Sequence, residues 1–389
     1  MIYLDYHATT PTDRRVAETV LAFMSDRFGN ASSIDHEIGD RARAAVDVAK
    51  QQIANLIQCN PQEIIFTSGA TESLNLAIQG TVLHREKQGR STHIAVSSVE
   101  HKAVLDICKT LHQQGRIQFS LIPVDPQANL DLTAIETLCQ QGLDLLCIMA
   151  ANNEVGTVYP LEQIGAIANR YQVPFLCDAS QAVGKIPIQF QTWNISLLTL
   201  SGHKFYAPQG IGALIKRKAY PLEPLILGGG HQQGLRSGTL NLPGIVGLGE
   251  ACHLRLQEME ADESRIALQR NTLQTQLQQA IPELICNGNS SVSTPQSHRL
   301  AGNLHISIPG VPNSALIARL RHQLAISTGS ACSSGTVAPS HVLQAMGLPD
   351  PVIEGALRIG IGKFTTDAEI EEAAHLLIDT IQQVQALLE

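Results

Sequence analysis

Leu197-Leu-Thr-Leu-Ser-Gly-His-Lys204 is the stretch on which the fold assignment turns. Leu197 to Leu200 has the length and apolarity of a buried strand, and Ser201-Gly202-His203 carries the chain from it to a lysine. Lys204 is thereby delivered to the carboxyl end of a strand, where open α/β sheets bind their ligands. An amine held there, and desolvated enough to lose its proton, can form a Schiff base with an aldehyde cofactor. Taken alone, Gly202-His203-Lys204 reads as a solvated surface lysine, so its partners decide the matter.

The first partner lies upstream. Pro174 to Cys177 is another short buried-type strand, and Asp178, followed by Ala179-Ser180-Gln181, stands at its end. Pyridoxal phosphate needs an acid at its ring nitrogen because the protonated ring is the electron sink. An aspartate in this place also serves commonly as a helix N-cap. Thr67-Ser68-Gly69-Ala70-Thr71-Glu72 joins the strand Glu63 to Phe66 to a helix expected to begin near Ser73. Its small residues expose backbone N–H groups at a positive helix end, a cradle for a phosphate to which Ser201 and His203 add donors. The alternative is an ordinary turn capped by Thr71.

Cys332 lies in Ser327-Thr-Gly-Ser-Ala-Cys-Ser-Ser-Gly-Thr-Val-Ala-Pro-Ser340, a run of almost wholly small and polar residues, whereas most of the other seven cysteines sit in apolar segments. That composition predicts a mobile loop with an accessible thiol, suited to a nucleophile that attacks a bound sulfur and carries it away. An incidental loop cysteine is the alternative. Arg358 interrupts the apolar strand Leu357 to Ile361 and must find an anion, either a substrate carboxylate held bidentately or a structural Asp or Glu.

Working outward, short apolar strands at His93 to Val96, Gln118 to Ile122, Leu143 to Met149 and Ile211 to Ile215 alternate with helical stretches at Arg41 to Ile57, Ala103 to Gln114, Thr133 to Gln140 and Leu161 to Tyr171. Such alternation predicts an α/β fold, a mainly parallel sheet covered by helices on both faces. After the glycine run at 228–230 the chain reads as one long helix from Ile245 to Gln279, and a domain transition is expected near residue 255. Strands at Leu304 to Ile308 and Leu357 to Ile361, with helices near Ser314 to His322 and Asp367 to Leu388, suit a smaller α+β domain. The 389 residues suffice for two cores, and 44% hydrophobic with 16% charged residues is ordinary globular composition. A net charge of −8 without a basic stripe disfavours nucleic acid. No apolar run approaches the ~20 residues that span a bilayer, so no membrane contact and a cytoplasmic location are expected. No Cys-x-x-Cys pair points to a disulfide framework or a metal site.

Together these segments resemble the cysteine desulfurases of the NifS/IscS type, group I, in the class V aminotransferase group of fold-type I pyridoxal-phosphate enzymes. The likeness runs almost end to end: Tyr3-Leu-Asp-Tyr6 with Ala8-Thr-Thr-Pro11, Phe66-Thr-Ser-Gly-Ala-Thr-Glu-Ser73, Glu100-His-Lys-Ala-Val-Leu105, Asn152-Asn-Glu154, Asp178-Ala-Ser-Gln181, Ser201-Gly-His-Lys204, Arg236-Ser-Gly-Thr239 and Gly329-Ser-Ala-Cys332. The resemblance implies a large domain over 15–255 with a seven-stranded sheet, and a small domain of 1–14 and 256–389 carrying the catalytic cysteine loop. It implies that Lys204 bonds the pyridoxal 5′-phosphate, Asp178 pairs with its ring nitrogen, His101 stacks on the ring and assists proton transfer, and Gln181 meets the ring oxygen. Ala70, Thr71, Ser201 and His203 would bind the phosphate, joined by Thr239 from the neighbouring subunit of a homodimer. Asn153 and Arg358 would hold the carboxylate of L-cysteine. Cys332 would take its sulfur as a persulfide, with L-alanine released and the sulfur passed to acceptor proteins such as an iron-sulfur scaffold, with tRNA thiolation a further use. Rival expectations are a cysteine, cystine or selenocysteine lyase on the same fold, and a sulfur-binding scaffold without turnover. The chain departs from the pattern at His7, where a small or amide side chain is usual, and at Gln232-Gln233, where a Glu-Arg pair is often found; both are expected to tune loop packing or partner contact.

Overall fold

The computed structural model describes residues 1–289, 298–328 and 339–388. Its centre is a seven-stranded sheet in the order Ile64–Thr67, Gly212–Lys216, Leu197–Ser201, Phe175–Asp178, Leu145–Met149, His93–Ser97, Gln118–Ile122. Only Gly212–Lys216 runs antiparallel to its two neighbours; the other pairings are parallel. The six remaining strands therefore point the same way, and their carboxyl ends share one edge. Alternate residues feed two separate cores. Ile94, Val96, Leu145, Cys147, Leu176 and Leu197 belong to one buried cluster, while Ala95, Leu146, Ile148, Phe175, Cys177 and Leu198 belong to another. With both faces covered, a strand such as Leu145–Met149 is apolar at every position rather than at every second one.

Helix Glu37–Ile57 turns Ala42, Val46, Ala49, Ile53 and Ile57 inward and ends where Gln58 enters the left-handed region at φ 55°. It packs on the 39-residue helix Leu242–Ala280. The crossing is close, because a Cβ on Gly249 would fall 2.7 Å from the Ala49 Cα. Farther along, the long helix contributes Leu273 and Leu277 to a third cluster, with Leu304, Ile306, Leu357, Ile359 and Leu377. This cluster lies on an antiparallel sheet of Ala356–Gly360, Asn303–Ser307 and Ile285–Cys286, beside a parallel pair of Ile2–Tyr3 and Leu324–Ala325. None of the described helices is long and apolar enough to cross a membrane.

Two expected boundaries move for identifiable reasons. Glu63 is not in a strand: its carboxylate accepts from the Asn60 N–H at 2.9 Å, closing a capping box over the turn Pro61–Glu63. The helix expected near Ser73 starts at Ala70, with Glu72 reaching back to the Ser68 N–H at 2.8 Å. Thr71 therefore lies inside the first turn rather than in the cap position.

Candidate active site

The common strand edge gathers most of the singled-out residues. Asp178 ends its own strand, Ser201 the next, and Lys204 closes the 3-10 turn Gly202–Lys204 directly after it. The Lys204 Nζ donates to the carbonyls of His7 at 2.8 Å and Ala8 at 2.7 Å. Burial, then the Arg358 charge, lower its pKa to about 8, against the pull of Asp5 and Asp178. Asp178 is buried, and its Oδ1 accepts from the Ser180 N–H at 3.0 Å, the Ser180 hydroxyl at 2.5 Å and the Thr199 hydroxyl at 3.1 Å. Among the described residues none donates to Oδ2. No helix follows Asp178, so instead of the N-cap expected as its alternative use the carboxylate closes a turn with Ser180, with one oxygen to spare.

His101 caps helix Lys102–Gln113, its Nδ1 accepting from the Ala103 N–H at 3.1 Å, which leaves Nε2 to carry the hydrogen of the neutral ring. It is open to solvent yet crowded, and desolvation lowers its pKa while Asp178 opposes that effect and Lys204 adds to it. The three groups therefore lie within electrostatic reach of one another. Helix Ala70–Lys87 begins without a side-chain cap, and a Cβ on Gly69 would come 3.6 Å from the Ser201 hydroxyl. Ala70 is half-buried and Thr71 exposed at this helix end. His203 is held through Nδ1 by the Thr9 hydroxyl at 3.1 Å, and burial pulls its pKa down to about 4, so it is a neutral donor or acceptor.

Arg358 is buried and meets the structural use expected of it, an ion pair with an acid. Its Nη2 pairs with Asp5 at 3.0 Å, its Nη1 donates to the Asn153 carbonyl at 3.0 Å, and its Nε–H is buried with no acceptor. The backbone of Arg358 also pairs with Ser327, at the entrance to the 329–338 segment. Cys332 lies in that segment, outside the described residues. Thr239 is exposed, and the nearby Arg236 is fastened to Glu72 of the same chain at 2.7 Å.

Several contributors carried no role in the sequence. Residues 5–10 pass along the site: Asp5 pairs with Arg358, the His7 and Ala8 carbonyls hold Lys204, and Thr10 joins the His203 carbonyl and the Tyr206 N–H. The quoted Ala8-Thr-Thr-Pro11 stretch was a signal for this segment but not for its partners. Gln181 does not stand free; its amide is engaged by His7 and by Lys185 at 3.0 Å. Gln232, one of the two departures after the glycine run, turns its amide onto the outer edge of the central sheet, accepting from the Phe66 N–H at 2.7 Å and donating to its carbonyl at 2.9 Å. It thus satisfies an edge strand as a neighbouring peptide group would.

The aminotransferase class-V family model matches residues 2–372. The cysteine desulfurase IscS of Anaeromyxobacter sp. (strain Fw109-5) is 40% identical over 389 residues, spanning 99% of this chain and 94% of that protein. Among solved structures, a NifS-like protein superposes with a TM-score of 0.89 at 32% identity, covering 98% of this chain and 99% of the other. SspA in complex with cysteine superposes with a TM-score of 0.78 at 33% identity, covering 94% and 100%. Over nearly its whole length, then, this chain belongs to the aminotransferase class-V family and, within it, to the cysteine desulfurases.

Proposed function

We propose that the chain uses pyridoxal 5′-phosphate to remove sulfur from L-cysteine, releasing L-alanine and leaving a persulfide on Cys332. The observation that supports this most is the meeting of Lys204, Asp178 and His101 at one strand edge. The residues fit the cofactor. Asp178 keeps one oxygen without a hydrogen bond while the other is fixed, and an uncapped helix end faces Ser201. Lys204 would hold the aldehyde, Asp178 the ring nitrogen, His101 the ring face and Gln181 the ring oxygen. Ala70, Thr71, Ser201 and His203 would take the phosphate, with Thr239 contributed by a second copy in a homodimer. When bound, the cofactor supplies an electron sink for the carbanion left by loss of the α-proton.

The chain's own residues do the rest. Arg358, whose Nε–H has no acceptor among the described residues, and Asn153 hold the substrate carboxylate. Lys204, with a pKa near 8, has a usable neutral fraction at neutral pH and moves the α-proton, helped by the Nε2–H of His101. Thiolate at Cys332 attacks the substrate sulfur: the new S–S bond forms as the carbon–sulfur bond breaks, its electron pair goes to carbon, and a proton completes the methyl group of alanine. The other thiols are poor rivals, because burial pushes Cys108 up to about 12 and Cys139 up to about 11.

The same reading includes a cytoplasmic enzyme that feeds acceptor proteins such as an iron-sulfur scaffold, and a division near residue 255 into a large domain and a small one that also includes 1–14. It is supported by the third cluster, which joins Ile2 and Leu4 to the C-terminal elements. Incubation with L-cysteine tests the chemistry: alanine should form together with a gain of one sulfur on the Cys332 peptide. Alanine with no sulfur on that peptide would refute the persulfide step, and sulfide release undiminished in Cys332→Ala would identify a lyase.

A further inference from the structure

His7, the residue that departs from the family pattern, is the least explained group in contact with the site. Its side chain is buried, with Nδ1 3.2 Å from the Gln181 Oε1. Its carbonyl accepts from the Gln181 Nε2 at 2.9 Å and from the Lys204 Nζ at 2.8 Å. Lys185 donates to the same Gln181 Oε1 at 3.0 Å. These partners determine the amide. A backbone carbonyl can only accept, so the end facing it is the NH2, which leaves the oxygen toward Lys185 and the His7 Nδ1. With that oxygen fixed as an acceptor, the His7 Nδ1 must carry the ring hydrogen.

The ring is built in from the other side as well. A Cβ on Gly360 would lie 3.0 Å from the His7 Cδ2 and 3.0 Å from its N, so the strand that carries Arg358 admits the imidazole only because a glycine stands there. Lys185, Arg358 and Lys204 are the charged groups that face the ring, and protonation would add a fourth positive charge among them. Burial works in the same direction. The Nε2 lone pair is buried with no donor among the described residues.

We propose that His7 is a positioning residue: as a neutral Nδ1–H imidazole it shares with Lys185 the hold on the Gln181 Oε1, steadies the amide whose other end faces the cofactor, and thereby tunes the cofactor held by Lys204. This rests on the pyridoxal-phosphate reading above, since the second N–H of the Gln181 amide has a cofactor oxygen to meet only in the loaded protein. Without the His7 N–H, Oε1 is held by Lys185 alone, and although the His7 carbonyl still accepts from Nε2, the amide is less firmly set and its second N–H donates less to the cofactor. The electron-rich, deprotonated form of the loaded site is then disfavoured.

Nitrogen-15 NMR of histidine-labelled protein, with His7→Asn as the blank that assigns the signal, reads the tautomer directly in wild type. A neutral Nδ1–H ring that does not titrate between about pH 8 and pH 5 is expected; an Nε2–H ring, or one titrating near the ordinary value, overturns the proposal. In the loaded protein, the pH midpoint of the visible absorption change should rise by about 0.5–1 unit in His7→Ala, the loss of one neutral hydrogen bond. His7→Asn, whose side-chain N–H takes the place of Nδ1–H, should restore it. A wild type that takes up no cofactor overturns the functional reading itself, whereas a normally coloured wild type beside an unshifted His7→Ala overturns only the role of His7.

Discussion

Replacing Lys204 with alanine should change how the stability of the cofactor-free protein depends on pH. In the unfolded chain this amine keeps its proton up to about 10.5, and in the folded protein it releases it at about 8, mainly because it is buried and also because Arg358 is near. Between those values the unfolded state binds more protons than the folded state, so stability rises with pH. At about 1.4 kcal/mol per pKa unit, the charged amine costs the fold about 3 kcal/mol below pH 8, and the cost fades as pH passes 10.5. Wild type should therefore gain about 2 kcal/mol on Lys204→Ala between roughly pH 7.5 and pH 10. Urea denaturation followed by circular dichroism at the two pH values measures this, and the titrating groups that do not feel the Lys204 charge cancel in the difference. The lost hydrogen bonds to the His7 and Ala8 carbonyls offset the two curves without tilting them. Parallel profiles would show that the folded amine titrates as a solvated one, and the argument that burial prepares it for chemistry would be wrong.

Arg358→Ala leaves Asp5 without its partner and should cost about 2–4 kcal/mol in urea denaturation, at the low end because Asp5 is partly exposed, while raising the KM for L-cysteine about tenfold or more. Cys332→Ala should lower alanine formation about 100-fold or more with no change in the urea midpoint; a variant that keeps its full rate points to a different sulfur acceptor. Gly165→Ala would drive a Cβ to 1.8 Å from the Trp193 carbonyl and should cost about 3 kcal/mol. Because Trp193 is the one tryptophan in the sequence, its fluorescence reports the displaced turn and the lowered midpoint together, and an unchanged spectrum would mean the turn yields freely.

Strands such as Gln118–Ile122 and Leu197–Ser201 were legible because they are short apolar runs bounded by polar turns, and that signal is local. The edge on which Asp178 and Lys204 meet followed from both residues lying at strand ends in a largely parallel sheet. What pairs with what was not legible. Nothing near Gly212 announces that its strand is reversed, since a fully buried strand is apolar whichever way it runs. Arg358 had to find an anion, but Asp5 lies 353 residues away and no local pattern names it. Gln181 was expected as a cofactor contact by resemblance alone. That its amide is clamped from two sides depends on His7 and Lys185, which become its neighbours only in the folded chain.

The passage of residues 5–10 through the site also sets a timetable. The segment leaves the ribosome well before its partners: Lys204 follows it by almost 200 residues, and the 353-residue separation of Asp5 from Arg358 takes roughly 20–70 s to translate. Once Lys204 has been made, the nascent chain has its amine and Asp5 but still lacks Arg358 and the strand Ala356–Gly360 that finishes the wall around His7. A site stitched from segments so far apart in the chain is thus incomplete until Arg358 has been made, which keeps a half-made enzyme from starting sulfur chemistry it cannot finish.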